Sequence, residues 1–178
     1  MEANRKNTLK ATLLWGGSLA VFGIIWRAVL WLNYEPVGYG DTPSYLRLAK
    51  SLADWSLSGY DGTRVPGYPL FLMVHGLDLQ ATWVTQLVLG WLISMLLFWA
   101  MWKATGSVHA GFFLGMLYNL IPGQYLFESN MISETLSAFL VVATFASVIA
   151  WQRAGTRGWQ LLFAFLAGLL GSLAGLVR

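Results

Sequence analysis

Apolar and polar positions along this chain separate into long apolar runs broken by short polar stretches. Five runs have the length or composition of a membrane-embedded helix: Leu9 to Leu32, Ala81 to Trp102, Val108 to Pro122, Met131 to Trp151 and Trp159 to Val177. A helix needs roughly 17–25 apolar residues to cross a bilayer. The third run is short by that measure, and Pro122-Gly123 is expected to end it. The piece Leu70–Val74 is too short to cross and reads as a juxtamembrane or re-entrant element. The pattern predicts an all-α polytopic membrane protein of about five transmembrane helices. It forms a single module over residues 1–178, with residues 33–80 as the first outer loop.

That loop has helical signals of its own. Thr42-Pro43 offers a hydroxyl N-cap and a proline at the first helical position. Behind it Tyr45, Leu48, Ala49, Leu52 and Trp55 recur at helical spacing, with Ser44, Arg47, Ser51 and Asp54 mostly on the other face. This predicts a short amphipathic helix on the membrane surface. Trp55-Ser-Leu-Ser-Gly-Tyr-Asp-Gly ends it in a turn. One or two such juxtamembrane helices are expected in the loop.

Composition agrees with a bilayer environment. Hydrophobic residues make up 57% of the 178 positions and charged residues only 11%, against about a quarter charged in a soluble domain. Ten tryptophans and nineteen glycines suit membrane interfaces and closely packed spans. The net charge is +3, but the basic residues are scattered, with no stripe for nucleic acid. The lack of cysteine excludes disulfides and thiolate metal sites. The first apolar run is long and no small-residue cleavage site follows it, so it is not read as a cleavable signal peptide.

Charge placement predicts orientation. Arg5, Lys6, Lys10, Lys103, Arg153 and Arg157 fall on one face under alternate crossing, which the positive-inside rule makes cytoplasmic. Glu35, Asp41, Asp54, Asp61, Asp78, Glu128 and Glu134 fall on the other. The N-terminus is then cytoplasmic and the 33–80 loop extracytoplasmic. Arg27, near the outer end of the first run, either snorkels to the headgroups or meets a phosphate or carboxylate partner.

The candidate chemistry lies in the loop. Asp41 stands at the positive end of the predicted helix, where it serves either as a cap or as a general base at the membrane surface. Arg64-Val-Pro-Gly-Tyr-Pro sets a guanidinium beside a turn stiffened by prolines. Guanidinium matches phosphate in bidentate geometry. Tyr68 either stacks on a sugar or anchors at the headgroups. Glu134, just inside the fourth run, should face protein or a watery cavity rather than lipid. Asp41 and Glu134 could together hold a divalent cation through oxygen ligands. His75 and His109 are not spaced as a metal pair.

The stretch Gly40-Asp41-Thr-Pro-Ser-Tyr45-Leu-Arg-Leu-Ala49, followed by Arg64-Val-Pro66-Gly67-Tyr68-Pro69-Leu-Phe-Leu, resembles the first outer loop of the polyprenyl-phosphate-sugar glycosyltransferases of GT-C fold. That group includes the protein O-mannosyltransferases and the lipid A aminoarabinose transferases. Met131-Ile-Ser-Glu134 resembles the family's second acidic motif, and Gly168 through Arg178 resembles a span ending in a basic residue. The resemblance covers most of the chain, in order. It implies Asp41 as catalytic base. It also implies Arg64 and Arg178 as handlers of the lipid phosphate, with Tyr45, Tyr68 and Glu134 at the substrates. The implied partners are a polyprenyl-phosphate-linked sugar donor, a lipid, glycan or protein acceptor, and the lipids of the cytoplasmic (inner) membrane. Thr42 stands where many relatives carry a second acid. The family's chains continue through more spans, so the resemblance implies an N-terminal portion.

A rival expectation is a non-catalytic transferase module that binds lipid or acts as a scaffold. The length of the native polypeptide separates the two. A transporter or channel would need polar residues aligned through several spans, and the second and fifth runs are almost free of them.

Overall fold

A computed structural model describes residues 2–57, 60 and 62–177. Arg178 and Asp61, both named above, lie outside the described residues. The chain forms helices α1 (Glu2–Asn33), α2 (Thr42–Ala53), α3 (Gly67–Val74), α4 (Leu79–Thr105), α5 (Val108–Leu120), α6 (Pro122–Ser129), α7 (Glu134–Arg153) and α8 (Arg157–Val177). Its all-α, polytopic character is as expected. Four helices are long and apolar enough to cross a membrane: Leu9–Asn33 within α1, then α4, α7 and α8.

The third of the five expected spans, α5, has only 13 residues. At 1.5 Å per residue that is about 20 Å, short of a hydrocarbon core of about 30 Å. Proline explains the stop. Pro122 has no N–H to continue the ladder, and its ring forces Ile121 into an extended conformation (φ −78°, ψ 112°). The chain then restarts as α6 instead of lengthening α5.

Helix α4 is the centre, packed against α1, α5, α6 and α7. Local chemistry fixes its ends. The Asp78 side chain accepts hydrogen bonds from the backbone amides of Gln80 and Ala81 at 2.8 and 3.3 Å. Gly106, at φ 76°, ends the helix in the left-handed conformation that glycine adopts without strain. Ser107 then caps α5 by accepting from the Ala110 amide at 3.2 Å. Small residues let α5 lie close to α4. A Cβ at Gly115 would sit 2.8 Å from the Ser94 carbonyl, and one at Gly111 2.5 Å from that of Phe98. At the basic end of the bundle the Arg153 guanidinium donates to the Lys103 carbonyl, tying α7 to α4.

The segment between α1 and α4 contributes two short helices. The apolar face of α2, with Tyr45, Leu48 and Ala49, is buried. Tyr45 and Ala49 join Tyr68 and Leu72 of α3, Leu140 of α7 and Val177 of α8 in one cluster. The helix therefore packs on protein rather than lying on lipid. Leu52 is partly covered, but Trp55 leaves the pattern altogether, at φ 51° and 98% exposed. A close approach seals α3 to the end of α8: a Cβ on Gly67 would meet the Leu176 carbonyl oxygen at 2.4 Å. A parallel bridge between Val37 and Asn130 holds the loop to the α6–α7 junction.

Candidate functional site

The start of α2 differs in detail from the expected cap. Asp41 occupies the N-cap position and Thr42 is the first helical residue. The Thr42 hydroxyl donates instead toward the Met131 carbonyl at 2.9 Å, pinning α2 to the segment before α7. The Asp41 side chain makes no capping bond. Only its backbone carbonyl serves the helix, accepting from the amides of Ser44 and Tyr45. The carboxylate is thus left for other chemistry.

It meets Arg64, 23 residues later. The guanidinium grips both carboxylate oxygens: one nitrogen donates to Oδ2 at 2.9 Å and the other to Oδ1. Its Nε donates to Ser44 Oγ at 2.9 Å, and the group lies 5.1 Å from the Tyr45 ring centroid, in cation–π range. The Tyr60 hydroxyl donates to the Arg64 carbonyl and fixes the turn. The hydrogen bond to Asp41 holds the guanidinium above its ordinary pKa. The pair is open to solvent, with the Arg64 side chain 30% and the Asp41 side chain 51% exposed. An exposed pair of this kind contributes at most about 1 kcal/mol, so a ligand can displace one partner at small cost.

Beneath it lies a buried aromatic support. The Tyr68 ring meets the Tyr45 ring edge-on at 5.0 Å. Tyr68 is fully buried and donates its hydroxyl to Gln86 Oε1 at 2.7 Å. Burial pushes its phenol up, so it stays a donor. Tyr68 therefore supports Tyr45 from below and reaches neither a sugar nor the headgroups in this arrangement. Gln86 in turn donates to the carbonyls of Glu128 and Asn130 at 3.0 and 2.9 Å.

Glu134 begins α7 and is exposed, beside a cavity between α6 and α7. No contact joins it to Asp41, and no group of three or more metal-ligating side chains occurs among the described residues. With the Asp41 carboxylate engaged by Arg64, the expected cation site lacks a ligand set.

A second polar cluster lies inside the bundle, and it meets the second of the two expectations for Arg27, a carboxylate partner, which the sequence did not identify as Glu128. Arg27 does not snorkel: it is 5% exposed. Its Nε and one terminal nitrogen donate to the two Glu128 oxygens at 2.9 and 2.7 Å. The other nitrogen donates to Asn119 Oδ1 at 2.9 Å. The Tyr118 hydroxyl adds a bond to Glu128 at 3.3 Å. Burial pushes the Glu128 carboxyl up, and the guanidinium pulls it back. Gly90 makes the room, since a Cβ there would fall 2.0 Å from a Glu128 oxygen. The available signal was one arginine and one glutamate bordering apolar runs, each needing a partner.

No family model, curated protein or solved structure matches this chain.

Proposed function

We propose that the chain carries the donor-activating end of a GT-C-type glycosyltransferase. It moves a sugar from a polyprenyl-phosphate carrier to an acceptor hydroxyl at the extracytoplasmic face of the cytoplasmic membrane. One observation carries the reading: a lone carboxylate and a guanidinium, distant in sequence, meet in a solvent-open fork on a rigid aromatic base.

The chemistry needs little more. A carrier phosphate leaves with its charge held by a cation, and an attacking hydroxyl must lose a proton to a base. In the resting arrangement Asp41 is engaged by Arg64. The donor's phosphodiester presents the same bidentate face with the same single charge, so it competes with Asp41 for the guanidinium and frees the carboxylate where it binds; the second charge that develops as the sugar leaves strengthens that contact. Asp41 then draws the proton from an acceptor hydroxyl that attacks the anomeric carbon in line, with inversion. The bond from that carbon to the phosphate oxygen breaks, and the phosphate keeps the electron pair. The test is transfer of labelled sugar from a polyprenyl-phosphate donor in membranes holding the full native polypeptide. Absence of transfer across the common hexose and pentose donors sinks the reading.

A lipid-binding role without turnover is favoured by a different observation. An apolar groove of about 510 Å³ runs between α1 and α4, with Arg27, Trp31 and Trp91 in its wall. Carrier-lipid binding at undiminished strength in a protein that never transfers sugar would select it.

The outward orientation of the loop is part of the proposal, and Lys10, Lys103, Arg153 and Arg157 at the opposite end support it. The chain has no cysteine, so a Trp55→Cys variant carries a unique thiol on a fully exposed position. In intact cells an impermeant maleimide should label it. Labelling only after the membrane is opened would reverse the orientation.

A further inference from the structure

Buried side-chain polar atoms among the described residues are hydrogen-bonded, apart from Trp83 Nε1 and Thr135 Oγ1. Outside that buried set, a cavity of about 440 Å³ lies between α6 and α7, with an exposed Glu134 and half-buried Gln124 and Ser137 in its wall. Gln124, Glu134 and Ser137 line it, and none of their side chains has a hydrogen-bond or ion-pair partner among the described residues. Phe127, 40% exposed, supplies an aromatic wall, and Ala138 a small one.

We propose that this cavity binds a sugar ring, its face on Phe127 and its hydroxyls on Glu134, Gln124 and Ser137. A carboxylate accepts from adjacent hydroxyls, while an amide and a hydroxyl both donate and accept, which is the set a polyol needs. A stacked ring covers the apolar wall. Other occupants fit less well. A lipid tail would leave the carboxylate desolvated and unpaired. A divalent cation prefers about six to eight oxygen ligands, usually from several carboxylates, and only one carboxylate is here.

The cavity is coupled to the Asp41–Arg64 fork. Ser133, also in its lining, lies 3.3 Å by its hydroxyl from the Tyr45 hydroxyl. The face of that same Tyr45 lies beneath Arg64. One tyrosine therefore touches both places, and a sugar seated by Glu134 lies on the same side of the bundle as the proposed base. That the bound sugar is the acceptor rests on the transferase reading; that the cavity takes a sugar does not.

The experiment is saturation-transfer NMR of methyl hexopyranosides, with the full chain in lipid nanodiscs. Wild-type protein should give ring-proton signals. Glu134→Gln should weaken binding about ten-fold, the scale of a lost charge-assisted hydrogen bond. Ala138→Phe, which fills the cavity and removes no polar group, should abolish it. Circular dichroism checks that each variant is folded. Asp41→Asn should lose transfer and keep the sugar signals. Absence of signals from wild-type protein, or signals that survive Ala138→Phe, overturns the site. Sugar binding by a protein without transfer removes the transferase reading and leaves the cavity standing. Transfer that Ala138→Phe leaves untouched while the sugar signals vanish overturns the acceptor assignment alone.

Discussion

Replacing Arg27 with leucine while Glu128 remains should destabilise the fold by about 3–5 kcal/mol, the usual cost of leaving a buried charge unpaired. Glu128→Leu should cost a similar amount, because Arg27 is then stranded against Asn119 and the Gly23 carbonyl. The pair joins α1 to α6, and Asn119 brings in α5. Loss of either charge therefore loosens the packing around α4, where Gly90 leaves room for the carboxylate and for little else. The double variant Arg27→Leu/Glu128→Leu should recover part of the loss, since neither charge then needs a partner, although Asn119 Oδ1 and the Tyr118 hydroxyl lose theirs. Unfolding in mixed detergent, followed by circular dichroism, measures all three. Equal losses in the single and double variants would mean that the geometry of the pair, rather than the burial of an unpaired charge, sets the stability.

Arg27 also marks the boundary of what the pattern of residues could reveal. Apolar run length located the spanning part of α1, and α4, α7 and α8, within a few residues, because bilayer thickness leaves little freedom. Proline placed the end of α5, although its restart as α6 depends on packing that no local rule supplies. Partners were harder to read. Nothing near residue 27 names Glu128, 101 positions away, as the carboxylate. Side-chain competition at the start of α2 was equally hidden. Thr42 has the chemistry of a cap, but the Met131 carbonyl claims its hydroxyl, which leaves the N-cap position to Asp41. Trp55 continued a helical spacing that the backbone had already abandoned at Asp54. The fork itself was legible as two chemically apt residues. Their meeting was not, since it requires α2 and α3 to pack on each other through Tyr45 and Tyr68.

If Asp41 is the base, Asp41→Asn should lower transfer by about a hundred-fold to ten-thousand-fold, the typical share of general-base catalysis. Asparagine keeps the shape and one acceptor oxygen for Arg64, so the turn and α2 should remain in place. The fork is exposed and contributes little stability, so the melting temperature should move by no more than about a few degrees. Arg64→Lys separates the second role. Lysine keeps the charge and loses the fork, so weaker donor use should accompany an intact response to acceptor concentration. The two variants are therefore expected to fail differently: one in the chemical step with the donor still bound, the other in holding the donor. Turnover of Asp41→Asn at the wild-type rate, in a folded and membrane-inserted protein, would remove Asp41 from the chemistry. The fork would then be a surface pin between α2 and the turn before α3.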